Sequence, residues 1–221
     1  MIHSRPLVLA TLALLLATTV ACDDDSTDNT ADADADVALA DTNSHDTNSH
    51  DTNSTDGLPA TCEGACREHA LTVAFGDTTG PIERAVYGLT APEVADSGEW
   101  EVYIEAIEGG FDGCPQQDSP TPDWSLIVTG LVAPIGEGTL TKADDGVAVT
   151  FLDYDGRFLG QEPFARATSA SLTPVAANVD TSLVAAGTRD EDGVVALDVQ
   201  ASFDGGELSG RLVATHCASM D

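Results

Sequence analysis

The chain has 221 residues and carries 38 acidic against 8 basic side chains, which gives a formal net charge of −30. Only one of the eight bases is a lysine, Lys142. This balance argues against nucleic acid or an anionic membrane surface as the main partner, because both are bound through clustered Lys and Arg. The length allows one domain, or at most two small ones.

Residues 1–21 have the three parts of a secretory signal peptide. His3 and Arg5 precede an apolar run over residues 7–16, and small residues follow over 17–21. The run is too short for a transmembrane helix, which needs about 20 apolar residues. The sequence therefore predicts export of the chain.

The end of this segment, Val20-Ala21-Cys22, resembles the lipobox of bacterial lipoproteins, whose cysteine is acylated with palmitate-type chains and becomes the mature N-terminus. The resemblance implies a covalent lipid on Cys22, which would be the only anchor to the bilayer because no later segment is apolar enough to span it. The alternative is an ordinary signal peptide cut near Ala21, which leaves Cys22 as a thiol.

The residues after Cys22, Asp23-Asp24-Asp25, resemble an inner-membrane retention signal of enteric lipoproteins, but other bacterial lineages sort by other rules. We expect a lipid-anchored location in the bacterial cell envelope, at the outer membrane or cell surface in preference to the inner membrane. The segment 22–57 also contains eleven Asp and no Glu, Lys or Arg. Such a segment cannot offset its ordering entropy by apolar burial, so we expect a disordered acidic linker.

Residues 58–221 have a different composition, with aromatic and β-branched residues in period-two patterns. Such alternation is typical of strands with one buried and one solvated face. Many short strands separated by Asp- and Gly-rich turns predict an all-β domain, an antiparallel β-sandwich with a β-barrel as the alternative. The predicted strands are Ala70 to Phe75, Arg84 to Leu89, Trp100 to Ile107, Ser125 to Val132, Gly138 to Ala143, Val147 to Leu152, Phe164 to Thr173, Val194 to Phe203 and Glu207 to His216.

The order of signal peptide, acylated cysteine, Asp-rich linker and one β domain resembles that of acidic lipoproteins of Gram-negative bacteria. The resemblance covers the whole chain as architecture. It brings no catalytic or ligand-binding motif with it.

Four cysteines remain in the domain once Cys22 is assigned to the lipid. An even number in an exported chain predicts two disulfides, and four cysteines allow three connectivities. Cys62 and Cys66 open the domain, and Cys217 follows its last predicted strand. We therefore favour separate bridges from Cys62 and Cys66 to Cys114 and Cys217, which would tie the two ends of the domain together.

A metal or thiol-redox site is the alternative use of the same residues. His69 lies close in sequence to Cys62 and Cys66, and His216 precedes Cys217. If the ends of the domain meet, these groups offer nitrogen and sulfur ligands suited to zinc or copper. The alternative is that both histidines are structural residues, on the core-facing side of their strands and with their ring nitrogens hydrogen-bonded.

Two Asp-x-Asp-Gly turns could help to bind Ca²⁺, whose shell of oxygen ligands suits clustered aspartates. They contain Asp153 and Asp155, and Asp190 and Asp192. A calcium-stabilised adhesion module is therefore a third functional hypothesis. Turn chemistry alone also explains both motifs.

No catalytic motif is present, so we predict a protein that is not an enzyme. Glu101 and Glu105 are spaced as on a solvated sheet face. The long segment from Gly109 to Trp124 is where binding residues would concentrate, with Phe111 and Trp124 as candidates. The alternative is a disulfide-pinned connection with Trp124 packed at the sheet edge.

The sequence thus predicts a lipid-anchored cell-envelope protein with a non-catalytic binding or structural module. Its partner would be an unknown envelope or extracellular component and not nucleic acid. We expect no cofactor beyond the lipid unless one of the Zn²⁺, copper or Ca²⁺ hypotheses holds.

Overall fold

The computed structural model describes residues 57–92 and 99–221. The predicted signal peptide, Cys22 and the linker up to residue 56 lie outside the described residues. In chain order the elements are a first 3₁₀ turn (Gly64–Arg67), β1 (Ala70–Phe75), β2 (Thr78–Ile82), β3 (Arg84–Thr90), β4 (Trp100–Glu108), β5 (Trp124–Ala133), β6 (Leu140–Thr141), β7 (Ala148–Asp153), β8 (Phe164–Arg166), β9 (Ser169–Asn178), α1 (Thr181–Ala185), β10 (Val194–Phe203), β11 (Gly206–His216) and a second 3₁₀ turn (Ala218–Met220).

The strands form one mixed sheet that curls into a half-barrel, which confirms the all-β prediction. The strand order is β6-β9-β10-β11-β3-β4-β5-β7-β8, and the β1–β2 hairpin branches from β11. All pairs are antiparallel except β11 with β3, which is parallel. The described strands therefore form a single curled sheet, and not the two stacked sheets of a sandwich. None of the helices in this part of the chain has the length and apolarity needed to cross a bilayer.

The branch in the sheet lies in the middle of β11. The first half of β11 pairs with β1, from Gly206 opposite Phe75 to Arg211 opposite Ala70. The second half pairs with β3 through residues 214–216. Gly210 lies at this point with φ of +132°, and a Cβ there would collide with the carbonyl oxygen of Ala70. Only glycine fits this close approach between the two strands.

The inner face of the curled sheet holds the main core. Alternate residues of each strand point inward, as in β10, where Val195, Leu197 and Val199 are almost fully buried. Aromatic rings fill the space beside them, with Phe75 at 5.3 Å from Phe151 between ring centroids. This burial is the main source of stability of the domain.

The outer face of the sheet is covered in two places, and a disulfide pins each covering segment. Cys62 bonds to Cys66, and Cys62 packs against Ala176 and Ala196 on the outside of β9 and β10. A second cluster forms on the outside of β3 and β4. It consists of Cys217, Val86, Ile107, Phe111, Cys114 and Met220.

The prediction of two disulfides is confirmed, but the favoured connectivity is wrong. The second bridge joins Cys114 to Cys217, so neither Cys62 nor Cys66 is tied to the end of the domain. The reason is that Cys62 precedes the first 3₁₀ turn and Cys66 lies within it, which leaves their Cα atoms only 5.2 Å apart. That spacing is within the range that a disulfide needs.

Candidate functional site

His69 joins two strands through backbone groups. Its Nδ1 accepts a hydrogen bond from the amide of Val213 at 3.1 Å, and its Nε2 donates one to the carbonyl of Ile82 at 2.9 Å. Burial lowers the pKa of His69, although the two backbone contacts oppose this effect. Both ring nitrogens are therefore engaged in holding the fold.

His216 is fully buried and also has both nitrogens engaged. Its Nδ1 accepts a hydrogen bond from the amide of Asp190 at 2.9 Å, and its Nε2 lies 3.1 Å from the carboxylate of Asp221. Tyr87 packs beside the ring, with the ring centroids 5.3 Å apart. Burial raises the pKa of the Tyr87 phenol, and the charges of Asp190 and Asp221 raise it further.

The structure does not bring the five predicted metal or redox residues into one site. Cys62, Cys66 and Cys217 are all in disulfides, and the contacts of His69 and His216 are those described above. In residues 57–92 and 99–221, no three His, Cys, Asp or Glu side chains are arranged to hold a metal ion. In the structure these three cysteines form disulfide bonds, and the two histidines form hydrogen bonds that hold neighbouring segments together.

The predicted calcium residues each organise their own loop. The buried carboxylate of Asp153 accepts hydrogen bonds from the amides of Phe158 and Leu159 at 2.8 and 2.6 Å. Asp155 accepts one from the amide of Arg157 at 3.0 Å. These contacts are turn chemistry of the kind expected for Asp-rich loops.

In the second predicted calcium motif, the carboxylate of Asp190 accepts a hydrogen bond from the amide of Asp180 at 3.1 Å. The carbonyl of Asp192 accepts one from the side chain of Asn178 at 3.1 Å. Asp190 is buried and Asp192 is exposed, so the two carboxylates lie in different environments. This motif is again explained by the way it closes its loop.

The two predicted binding-loop residues are packing residues. Trp124 begins β5, is buried, and donates a hydrogen bond from Nε1 to the carbonyl of Pro81 at 3.0 Å. Phe111 lies in the covering segment, where the guanidinium of Arg84 is 5.0 Å from its ring centroid. The segment is pinned by the Cys114–Cys217 disulfide, as the alternative interpretation has it, but Trp124 packs in the main core at the start of β5, between β4 and β7, and not at the sheet edge.

A third part of the outer face has no covering segment. In the described chain, the three large hydrophobic side chains that are exposed are Val132, Tyr154 and Phe164, at 41, 48 and 48 %. Val132 points outward from β5, and Phe164 lies opposite Leu152, on the outer side of β7. We call this surface of β4, β5, β7 and β8 the aromatic face, and it comprises Tyr103, Glu105, Val132, Leu152, Tyr154 and Phe164.

Polar groups lie within the aromatic face. Burial raises the pKa of the half-buried Glu105, and the hydroxyl of Ser125 partly opposes the shift. Ser125 itself is fully buried, and its Oγ lacks a hydrogen-bond partner of good geometry. Burial raises the pKa of Tyr103 to about 12, with further contributions from Glu105 and Tyr154. The face thus combines accessible rings with a half-buried carboxyl, that of Glu105, next to the buried hydroxyl of Ser125.

Sequence reasoning missed this surface. The period-two pattern predicts a solvated sheet face for Glu105, and Tyr154 lies between the two aspartates of the turn motif Asp153–Asp155. The missed signal is that aromatic residues alternate with the core positions on neighbouring predicted strands, as Tyr103 does in β4 and Phe164 does at the start of β8. Their strands become neighbours only through β5 and β7, so the pattern needs the strand order before it can be recognised.

A separate cleft of about 680 Å³ lies between the first disulfide-pinned segment and the loop before β10. Its charged lining residues are Glu63, Glu191 and Asp192 with one base, Arg67. Arg67 donates a hydrogen bond from Nε to the carbonyl of Cys62. The cleft has the volume of a small-molecule site, but none of its lining residues has a buried side-chain polar atom that lacks a hydrogen-bond partner.

Comparisons of the chain with protein families, with characterised proteins and with solved structures found no match.

Proposed function

We propose that this chain is a lipid-anchored protein of the bacterial cell envelope, and that residues 58–221 form a non-catalytic module that binds an envelope or extracellular partner. The anchor in this proposal is an acyl-modified Cys22, and the acidic linker up to residue 57 holds the module away from the bilayer. The lipobox-like Val20-Ala21-Cys22 and the Asp-rich composition support these two parts.

The observation that carries the binding role is the uncovered aromatic face. Disulfide-pinned segments shield two other parts of the outer sheet surface, while the aromatic face keeps Tyr154 and Phe164 about half exposed. Contiguous exposed apolar surface on a folded domain marks interaction sites. A rigid sheet supplies the fixed arrangement that binding needs.

The anchor is tested by labelling producing cells with an alkyne analogue of palmitate. We expect the full chain to take up the label, and Cys22→Ser to take up none. Cys114→Ser, which changes another cysteine of the same chain, should keep the label. Labelling of the Cys22→Ser variant would contradict the proposed anchor.

The binding role is tested with a chain that begins at Asp23, so that sedimentation cannot result from the lipid. We expect this chain to sediment with isolated cell envelopes, and the double variant Tyr154→Ala/Phe164→Ala to stay in the supernatant. Phe111→Ala is the matched control, because Phe111 is an aromatic residue of the covered part of the sheet. Equal sedimentation of the double variant and the unchanged chain would contradict a role for the aromatic face.

A further inference from the structure

We infer that the aromatic face binds a neutral polysaccharide, an extended polyol whose apolar C–H surfaces pack on the exposed rings while its hydroxyls bond to the half-buried carboxyl of Glu105. This inference rests on the proposed function, because it names the class of partner for the same face.

The shape of the face favours an extended ligand. Five of its six residues lie on four neighbouring strands, with Leu152 and Phe164 in one cross-strand pair, and Tyr154 directly follows β7. None of them lines the cavities of 680, 500 or 280 Å³ found elsewhere on the described chain. A caged small ligand would need a concave site. An open outer sheet surface with exposed side chains on several strands instead suits a chain of repeating units.

The half-buried carboxyl of Glu105 distinguishes a polyol from an apolar partner. A hydrophobic peptide or a second copy of the face would complete the burial of this carboxyl without new hydrogen-bond partners, and such burial is costly. Hydroxyl groups of a polyol can donate hydrogen bonds to the carboxylate oxygens of Glu105, which have several acceptor sites. The guanidinium of Arg166, 5.7 Å from the ring centroid of Phe164, adds a donor at one edge.

The charge of the domain favours a neutral ligand over an anionic one. Residues 58–221 carry seven basic and 27 acidic side chains, a formal charge of −20. This charge repels polyanions such as acidic polysaccharides, and it also repels a second copy of the same domain. Half-exposed aromatic side chains need no charge to pack against an apolar surface.

The test uses the full chain in a mild non-ionic detergent and affinity electrophoresis in gels that contain one soluble neutral polysaccharide each, a β-glucan, an α-glucan or a galactomannan. We expect at least one of them to slow the protein. Tyr154→Ala/Phe164→Ala should weaken this binding at least tenfold, and Phe111→Ala should leave it unchanged. Tyr154→Phe keeps the ring and should change the binding by no more than about threefold.

Glu105→Leu separates the polyol from an apolar partner. The leucine adds apolar surface beside Val86 and Ile127, which are the cross-strand neighbours of Glu105, so the fold should be kept. Loss of the hydrogen bonds to the carboxylate should weaken polysaccharide binding about tenfold or more. If the partner is a hydrophobic protein or a second copy of the chain, the added leucine should instead strengthen that binding. Self-association is measured by sedimentation velocity. Polysaccharide binding that Glu105→Leu leaves unchanged would overturn the inference.

Failure of the inference and failure of the proposed function give different results. If the aromatic face is needed for sedimentation with envelopes but no neutral polysaccharide slows the protein, the polysaccharide inference is wrong and the binding role stands. If the face proves to mediate self-association only, the inference is also wrong. If the chain binds neither envelopes nor polysaccharides, both are wrong.

Discussion

Glu105 shows how the environment of a single residue departs from its sequence pattern. Period-two spacing places Glu105 on the outer face of β4, where a solvated carboxylate is the ordinary expectation. In the structure it lies between Val86 and Ile127 on the neighbouring strands and is half-buried. Burial disfavours the charged form, which raises the pKa of this carboxyl above its ordinary value of 4.5.

The first prediction follows from the sign of this shift. A raised pKa in the folded state means that Glu105 stabilises the fold fully below pH 4.5 and that this contribution is lost as pH rises through the raised value. Glu105→Gln should therefore increase the free energy of unfolding at pH 7 by about 0.5–1 kcal/mol, a small value because the carboxyl is partly exposed to solvent. Urea unfolding at pH 4 and pH 7 measures this difference.

Glu101→Gln is the control for this prediction, because Glu101 lies on the same strand face but is exposed. Its effect on stability should be close to zero at pH 7. An equal gain for both variants would show that general charge reduction, and not the burial of Glu105, is the cause.

His69 gives a prediction of the opposite sign. Burial lowers its pKa from 6.5, so its contribution to stability is complete above pH 6.5 and is lost as pH falls through the lowered value. Protonation of Nδ1 would also remove the acceptor for the amide of Val213. We expect the free energy of unfolding to fall by about 0.5–1 kcal/mol through this group as pH drops from 7 to 5. Thermal unfolding of His69→Gln should show a flatter pH dependence over this range, and an unchanged slope would contradict the assignment.

At the scale of elements, alternation predicted the long strands well. The predictions for Ala70 to Phe75 and Val194 to Phe203 agree with β1 and β10 at both ends. The prediction failed where glycine or proline interrupts the pattern. The sequence of β2, Thr-Thr-Gly-Pro-Ile, is typical of a turn, yet all five of its residues pair with residues 71–75 of β1. Such a strand depends on its partner and not on its own propensity.

The segment predicted from Phe164 to Thr173 is divided in the structure. β8 ends at Arg166, and β9 begins at Ser169 on another part of the sheet. Between them the amide of Ala167 donates to Val149 in β7, and the amide of Thr168 donates to Ser202 in β10. One continuous period-two pattern in the sequence therefore spans two strands that pair with different neighbours. Period-two patterning reports which face is buried but not which strand is the neighbour.

The disulfides permit a prediction about which covering segment matters more for stability. The Cys62–Cys66 bridge joins residues four apart in sequence, and the Cys114–Cys217 bridge joins residues 103 apart. Loop-closure entropy gives a stabilisation of about 2 kcal/mol for the first and about 5 kcal/mol for the second. The double variant Cys114→Ser/Cys217→Ser should therefore lose about 3 kcal/mol more than Cys62→Ser/Cys66→Ser. Denaturant unfolding of both variants tests this order, and equal losses would contradict it.

At the scale of the whole molecule, the sequence predicted the all-β class but not the position of the candidate site. The aromatic face gathers residues from four strands that are not all consecutive in sequence, and its exposure depends on where the covering segments end. Loop candidates such as Phe111 and Trp124 were chosen because they lie in irregular chain. Phe111 packs in a segment that covers the outer face of the curled sheet, and Trp124 packs in the main core on its inner face.

The excess of acidic residues is the remaining property of the whole domain, and it leads to the last prediction. A formal charge of −20 in residues 58–221 makes the compact state repel itself, while added salt screens this repulsion over a Debye length of about 10 Å at 0.1 M and about 3 Å at 1 M. We expect stability to rise by on the order of 1–2 kcal/mol between 0.05 and 1 M NaCl, which corresponds to a Tm higher by about 4–6 °C. The ion pair of Arg211 with Asp198 acts in the opposite direction but is partly exposed, so its loss in salt is small. Calorimetry of the chain in NaCl, with the osmolyte sucrose as the uncharged control, measures the effect. A Tm that is flat or falls with NaCl would mean that local ion pairs, and not the net charge, dominate the electrostatics of the fold.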